Sequence, residues 1–450
     1  MLSVKLTTAK FLSVLFVACG LQLGVSAQEN SPYSRYGLGD IVPNRNIFTR
    51  GMGGIAASQL DNQSLNFTNP ASLANITNTI FDIAAEADFR TLKSSKPANK
   101  FNSANSYFSY MQMGFPLATP KMYKKGMRWG MSFGIRPVTK INYKIQTNES
   151  PVGGIDSLNT VYEGTGGVNQ VFLGSGLRIK NLSIGFNVGY MFGSKDYSTK
   201  LSFINDSVAY YQSNSANKTT FNGLFVNGGI QYDIALEMDK NDIVKRNIRL
   251  GLYGNLKQNL RASNDLIRET IIYDANGNFF RLDSVYEEID KKGTIKYPAM
   301  IGAGFSYQGI HWIYGADFEF SNWNNYRFYG QTDQVQNSWV IRAGTQFYPA
   351  KDNTPAKKYF NFVKYRAGFY YGPDYVNTSK SRPEYAFTVG TGMPLTSLKR
   401  INYTGEYVVL NTALEIGSRG NKQTNLRENI VRFSVGISMN ARWFQKQKYQ

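Results

Sequence analysis

The chain has 450 residues, 42% of them apolar, and a formal net charge of +19 at pH 7. Past the N-terminus it contains no run of about 18 apolar residues, which excludes a helical membrane protein. One histidine (His311) and one cysteine (Cys19) exclude a Cys/His zinc site and an intrachain disulfide. We therefore expect no catalytic residue, no metal and no cofactor. The 30 Tyr, 29 Phe and 42 Gly beside 14 Pro favour an all-β fold.

Residues 1–27 have the pattern of an export signal. A basic start precedes an apolar stretch from Phe11 to Val25, and small residues follow at the cleavage positions. The mature chain is expected to begin at Gln28. An alternative interpretation is a lipoprotein signal in which Cys19 is acylated. Export argues against nucleic acid as a partner, although the chain is strongly basic.

Residues 28–77, called the N-terminal segment below, differ from the rest of the chain. The segment opens with the sequence SPYSRYGLGD at 31–40. It then carries three glycines and one short motif: Gly51, Gly53 and Gly54, and Asn69-Pro70-Ala71. Pro70 fixes its own backbone and constrains Asn69, whose amide can bind the backbone of neighbouring strands. The alternative is an ordinary turn that leads into the first strand.

From residue 78 to the end of the chain, apolar residues alternate with small or polar ones, which is the period of a β-strand. In the last strand Val431 and Phe433 share one face, and Arg432 and Ser434 share the other. The pattern predicts 14 strands, although 12 or 16 stay open, at about 78–90, 104–115, 127–146, 157–179, 181–204, 208–234, 247–274, 278–308, 310–330, 336–348, 361–372, 384–392, 400–412 and 428–443. Domain 78–450 is therefore expected to be a transmembrane antiparallel β-barrel.

A secreted sandwich or solenoid would alternate too, so strand length and aromatic placement decide between the classes. A membrane barrel needs strands of about 9 to 11 residues within the bilayer, aromatic girdles at both interfaces and no free edges. The predicted strands are long enough. Aromatic residues gather at their ends, as at Tyr370-Tyr371 and Trp443-Phe444. The barrel is the favoured interpretation, in the outer membrane.

The N-terminal segment resembles that of the FadL family of outer-membrane transporters for hydrophobic molecules. Gly51, Gly53 and Gly54, followed by Asn69-Pro70-Ala71, match that family in order and spacing. The opening SPYSRYGLGD is similar to the mature start of many such barrels from the Bacteroidetes. The resemblance implies a 14-stranded barrel with the N-terminal segment as a hatch in the lumen. It also implies passive, hatch-gated uptake of small hydrophobic or amphiphilic molecules such as fatty acids.

Several arginines lie on the predicted inward faces of the strands. One or two of them could receive the carboxylate of an amphiphile, because a guanidinium binds a carboxylate through two parallel hydrogen bonds. The alternative is that these arginines pair with acidic residues around the hatch. The candidates are Arg136, Arg178, Arg342, Arg366 and Arg432.

Outer-membrane lipid and lipopolysaccharide are the expected surroundings of the barrel. A second function class stays open beside uptake: a non-transporting accessory barrel of a type IX-like protein secretion system, with protein partners, or a structural outer-membrane protein. A continuous apolar tunnel would favour transport. A polar, solidly plugged lumen with an exposed apolar patch above the membrane would favour the partner role.

Overall fold

The computed structural model describes residues 31–441. The exceptions within that range are 44, 60, 62, 96–97, 150–156, 205–210, 240–243, 275–278, 351–357, 378–381, 397–405, 422–423 and 425. The predicted signal at 1–27 and the aromatic pair at 443–444 lie outside the described residues. Within the described part of the chain, no helix is long and apolar enough to cross a membrane.

Fourteen antiparallel strands follow the N-terminal segment. They are β1 (Thr79–Ser95), β2 (Ala98–Pro116), β3 (Met127–Glu149), β4 (Ser157–Ile179), β5 (Leu182–Ile204), β6 (Gln212–Met238), β7 (Val244–Asn255 and Gln258–Tyr273), β8 (Phe279–Tyr297 and Met300–Gln308), β9 (Trp312–Ser321), β10 (Ser338–Phe347), β11 (Lys364–Pro373), β12 (Pro383–Pro394), β13 (Tyr407–Arg419) and β14 (Leu426–Ala441). Each strand pairs with the next, and β14 pairs with β1, so the sheet closes. The predicted all-β barrel of 14 strands is confirmed.

The remaining regular elements are short. Their bounds are Pro32–Arg35, Pro70–Asn75, Trp323–Asn325 and Tyr359–Phe362 for the 3-10 helices, Ile47–Arg50 and Pro120–Lys124 for the α-helices, and Asp40–Ile41 and Arg327–Phe328 for two-residue strands.

The two faces of the strands have opposite character, as the period of two requires. On β5 the side chains of Ile184 and Phe186 are more than half exposed, whereas Ser183 and Asn187 are buried. Similar rows of exposed apolar side chains recur on the other strands. An apolar outer surface and a polar inner one are the arrangement of a membrane-spanning barrel.

The strands differ in length. Strands β3 to β8 have 23 residues or more, whereas β9, β10 and β11 have 10 each. Strand β9 was predicted to run to residue 330, and that end was wrong: the strand stops at Ser321. The chain then turns inward, because Trp323 and Tyr326 bury their rings in the outer end of the lumen. Strand β13 was predicted to end at 412 but continues to Arg419.

One pair of neighbouring strands is joined over only a short length. Strands β2 and β3 pair through Met111–Pro116 and Gly130–Ile135 alone, and a bulge follows in β3. Beyond the bulge, Asp40–Ile41 of the N-terminal segment pairs with Thr139 and Lys140 of β3. We call this place the β2–β3 gap. Part of the N-terminal segment therefore borders an interruption of the barrel wall.

Candidate functional site in the lumen

The N-terminal segment lies against the polar, inward faces of the strands. All four residues of the helix Ile47–Arg50 are buried, and so are all six of Pro70–Asn75. The wall is built of glycine where the segment touches it. A Cβ atom on Gly176 of β4 would lie 2.7 Å from the carbonyl oxygen of Pro70. Further glycines that face the segment are Gly130, Gly185, Gly229, Gly251, Gly344, Gly368 and Gly390.

The three predicted hatch glycines form a tight bend beside β10 to β12. Gly53 and Gly54 have φ angles of +69° and +82°, a left-handed conformation that favours glycine. A Cβ on Gly53 would lie 2.7 Å from the backbone oxygens of Ala343 and Phe369, so no larger residue fits. A Cβ on Gly51 would lie 3.1 Å from the Cα of Gly390 on β12. The bend lets the segment lie directly on the wall.

The Asn-Pro-Ala motif binds both the segment itself and the wall. The Asn69 side chain is fully buried, and its Nδ2 donates to the carbonyl oxygen of Ala57 at 2.6 Å. It also lies within 3.4 Å of the backbone oxygens of Ile230 and Leu252 on β6 and β7. Its Oδ1 accepts from the N–H of Ala71 at 3.1 Å, which caps the helix Pro70–Asn75. One side chain thus links two stretches of the segment to two strands.

A carboxylate provides a second anchor that the sequence analysis did not assign. Asp317 of β9 accepts the backbone N–H groups of Ala56 and Ala57 at 2.6 and 2.8 Å. Nearby, Arg45 of the segment binds Glu319 of β9 at 2.5 Å. Both acids lie on the inward face of β9, where the period of two places them.

A buried network of charges holds the centre of the segment. The Arg50 guanidinium contacts Glu86 of β1 and lies 2.6 Å from Glu415 of β13. Arg432 of β14 also binds Glu415, at 2.9 Å, and reaches Asp88 at 3.3 Å. The side chains of all five residues are at most 4% exposed. The sequence placed Arg432 on an inward face and left its pairing with acidic residues open as an alternative, and the structure identifies those acids.

Asp40 forms a second ionic contact near the outer end of the lumen, linked to the central network because Arg90 also binds Asp88, at 2.8 Å. Its carboxylate lies 2.5 Å from Arg90 and 2.6 Å from Arg419. Burial by itself would raise the pKa of Asp40, but the Arg419 and Arg90 guanidinium groups more than offset that effect. They hold the pKa of this carboxyl well below its usual range. Asp40 is thus a charged tether between the N-terminal segment and strands β1 and β13.

Aromatic side chains pack at the outer end of the lumen. Trp323, Tyr326 and Tyr375 belong to one buried cluster with Leu38 of the segment. The Tyr326 hydroxyl donates to the carbonyl oxygen of Gly37 at 3.1 Å, and the Tyr375 hydroxyl bonds to the same turn. The motif that opens the N-terminal segment is therefore part of this outer seal.

The five candidate arginines have different surroundings. Arg178 binds Asp233 at 2.9 Å, and Arg342 lies 3.6 Å from Glu319. Arg432 belongs to the central network described above. Arg366 donates to amide oxygens of Gln346 and Asn411, and its guanidinium stacks 4.4 Å above the ring of Phe48.

Arg136 is buried without a carboxylate partner among the described residues. Its Nε and Nη2 donate to the Gln170 amide oxygen at 2.9 and 2.7 Å, and its Nη1 has no hydrogen-bond partner in that part of the chain. The guanidinium lies 4.6 Å from the ring centre of Phe67 and 5.8 Å from that of Phe172. Arg366 shares this state, because its Nη2 has no partner among the described residues and its hydrogen bonds go to amides. Of these two arginines, only Arg136 lines the cavity described next.

A cavity of about 210 Å³ lies between the segment and the wall. Arg136, Arg342 and Arg432 line it, whereas Arg178 and Arg366 do not. Its apolar side includes Val138, Met191, Phe225, Tyr297 and Trp323. Ile41 and Val42, which border the β2–β3 gap, line it as well. Acidic residues line the cavity beside the arginines, among them Asp40, Glu319 and Glu415. The cavity is therefore lined by both charged and apolar side chains and reaches the interruption of the wall.

A sequence model of the BamG family matches residues 9–450. The chain belongs to the BamG family. No curated protein matches this BamG-family chain.

Solved structures share its fold at low identity. The chain is similar to the toluene transporter TbuX of Ralstonia pickettii (14% identity, 89% of this chain and 99% of that one, TM-score 0.53). It is similar to a Pseudomonas aeruginosa FadL homologue (12%, 89% and 99%, TM-score 0.54) and to the Pseudomonas putida toluene transporter TodX (15%, 90% and 99%, TM-score 0.53). The FadL resemblance is confirmed at the level of the fold.

Proposed function

We propose that the barrel binds small amphiphilic molecules, such as fatty acids, in the lumen cavity and exchanges them with the bilayer through the β2–β3 gap. The observation that carries this proposal is the buried Nη1 of Arg136, which has no hydrogen-bond partner among the described residues and belongs to a residue that lines the cavity. A buried donor without a partner costs free energy, and an incoming carboxylate supplies a charge-assisted hydrogen bond to it. Val138 and Met191, which also line the cavity, offer contacts to an apolar chain.

The cavity volume supports a small ligand or one end of a longer one. Drug-sized ligands occupy pockets of about 300–1,000 Å³. About 210 Å³ suits a headgroup with the first part of an acyl chain. The rest of such a chain would pass Ile41 and reach the hydrocarbon region through the β2–β3 gap. In this proposal the N-terminal segment is the hatch, because residues 40–43 border both the cavity and the gap.

The test is a fluorescence titration of the purified barrel with a fluorophore-labelled long-chain fatty acid and with the matching alcohol. We expect Arg136→Gln to weaken binding of the acid about 10- to 100-fold, since a hydrogen bond to a charged group contributes about 1.5–3 kcal/mol. Binding of the alcohol should change less than about twofold on the same scale. Arg366→Gln is the matched control, because Arg366 is equally buried but does not line the cavity. Equal losses in both variants would contradict the role of Arg136.

A second candidate function is that of a non-transporting accessory barrel, as in type IX-like secretion. The observation that favours it is the paired state of the central lumen charges around Arg50, together with the aromatic seal near Gly37. Both features hold the segment in place without any need for a ligand. In the same titration this function predicts no saturable binding of either the acid or the alcohol to the folded wild-type barrel.

A further inference from the structure

Tyr297 ends the outer part of strand β8 and belongs to its inward face. It shares that face with Ile295, which is fully buried. Pro298 follows and has no backbone N–H to donate, and the pairing with β7 stops at Tyr297 and resumes only at Met300. The Asn255 side chain of β7 donates to the carbonyl oxygen of Pro298 at 3.0 Å. This break in the ladder sets Tyr297 at the cavity, which it lines.

Two aromatic neighbours hold the ring of Tyr297. It meets Phe225 of β6 edge-to-face, with the ring centres 5.9 Å apart and the planes at 84°. The second neighbour is Trp323, whose ring centre lies 6.3 Å away at an angle of 63°. Phe225 and Trp323 are both buried. Edge-to-face contacts favour one orientation of a ring, so they restrict the position of the Tyr297 hydroxyl.

The Tyr297 hydroxyl makes no hydrogen bond to the part of the chain that the structure describes. A tyrosine inside a protein normally finds a partner for its O–H. Other tyrosines around the same cavity do so. Tyr375 donates to the backbone oxygen of Tyr36 at 3.1 Å, and Tyr370 donates to Glu384 at 3.5 Å. Tyr297 therefore differs from them in carrying an unused donor at the cavity.

Arg136 approaches the same place from strand β3. The side chains of Arg136 and Tyr297 are close enough to interact electrostatically. Gln170 accepts from Nε and Nη2 of Arg136, which leaves Nη1 without a partner within the described ranges. Two residues that line the cavity, one of them charged, thus each hold a donor for which the described chain provides no acceptor.

The acid that interacts with Tyr297 already has other partners. It is Glu319 of β9. Its carboxylate binds Arg45 at 2.5 Å and accepts from the Tyr253 hydroxyl at 2.7 Å. Arg136 has no carboxylate partner in the described part of the chain. The donors of Tyr297 and Arg136 therefore lack an anionic acceptor, which a ligand can supply.

We propose that Tyr297 is a second headgroup-binding residue of the cavity and donates its O–H to the ligand carboxylate that Arg136 receives. The inference rests on the proposed function and deepens it. A carboxylate accepts several hydrogen bonds through its two oxygens, and bonds to a charged acceptor are the strong ones. The pair selects an acid over three other classes. An alcohol has no charge, an amine is repelled by Arg136, and a hydrocarbon leaves both donors unpaired.

The test is the same fluorescence titration, extended to Tyr297→Phe and to a fluorophore-labelled hydrocarbon of equal chain length, which has no headgroup. We expect Tyr297→Phe to weaken binding of the acid about 10- to 100-fold, because it removes a hydrogen bond to a charged group. Binding of the hydrocarbon should change less than about twofold, since phenylalanine keeps the ring between Phe225 and Trp323. Tyr370→Phe is the matched control, because Tyr370 lines the cavity but its hydroxyl is bonded to Glu384. It should leave the affinity for the acid within about twofold of the wild type.

Two results would overturn the inference and leave the proposed function standing. In the first, Arg136→Gln weakens binding of the acid and Tyr297→Phe does not. In the second, Tyr297→Phe weakens binding of the hydrocarbon as much as that of the acid, which would give Tyr297 a structural role only. No saturable binding of the acid to the wild-type barrel would contradict the proposed function, and the inference with it. The heat-resistant folded band in electrophoresis verifies that each variant is folded before it is titrated.

Discussion

Replacement of Arg50 by methionine tests whether the buried charges hold the N-terminal segment in the lumen. Arg50 lies between Glu86 and Glu415, and all three side chains are at most 4% exposed. Methionine keeps the apolar length of the side chain and removes its charge. Arg432 then remains as the cation closest to both acids. The variant therefore contains one excess buried negative charge.

The size of the effect follows from that excess charge. Removal of one partner of a buried ion pair costs about 3–5 kcal/mol, because the other charge stays desolvated. At about 1.4 kcal/mol per factor of ten, the detached state of the segment becomes about 100- to several thousand-fold more populated. Part of that cost disappears when Glu415→Gln is added, since the double variant restores charge balance around Arg432.

Conductance across planar lipid bilayers is the assay. We expect the wild-type barrel to stay closed, Arg50→Met to show frequent opening, and Arg50→Met with Glu415→Gln to return towards the closed state. Urea titration of the same proteins should rank their stabilities in the same order. If Arg50→Met is as closed and as stable as the wild type, the network does not hold the segment and the argument fails.

Three further predictions concern the contacts that hold the segment against the barrel wall. Gly176→Val should lower the temperature at which the folded band disappears in electrophoresis by more than 5 °C, because the added side chain meets the Pro70 carbonyl oxygen. A disulfide from Ile41→Cys with Thr139→Cys, which are register partners, should block exchange of a labelled fatty acid with vesicles until a reductant is added. The pKa of Asp40 is lower in the docked segment than in the unfolded chain, so its charge stabilises docking at pH values above about 4. As the pH falls below about 4 this stabilisation is lost, and cysteine labelling of the segment should increase. Asp40→Asn should abolish that pH dependence.

The barrel could be predicted because the alternation of apolar and polar residues is visible within each strand and requires no knowledge of contacts between distant residues. In β14 every second residue from Val431 is apolar, and the bilayer outside and the polar lumen inside both select for that pattern. The ends of the strands were harder to predict. The turn after Ser321 depends on Trp323 entering a cluster with Tyr375, more than 50 positions away in the chain. Alternation contains no information about such a contact.

The site was predictable in its backbone features and much less so in its charges. The positive φ angles of Gly53 and Gly54 leave a visible signature, namely glycine in a short motif. The pairing of Arg50 with Glu415 joins residues 365 positions apart, and they meet only because the segment lies inside the closed barrel. From the sequence alone, the five inward arginines are therefore equally good candidates for ligand binding. Only the contacts distinguish Arg432, which binds acids, from Arg136, which binds an amide.

The anchors of the N-terminal segment are unevenly distributed, and this decides which part could move first. Residues 45–76 are held by Asp317, Asn69 and the Arg50 network, all buried. Residues 40–43 are held by a two-residue ladder, by the ion pairs of Asp40 and by one bond from the N–H of Val42 to β3. Release of 40–43 would enlarge the β2–β3 gap and leave the rest of the segment seated. A ligand could then exchange laterally without an open pore through the barrel. Closed conductance in the wild type, together with exchange blocked by the disulfide at Ile41, is the combination that this local movement requires.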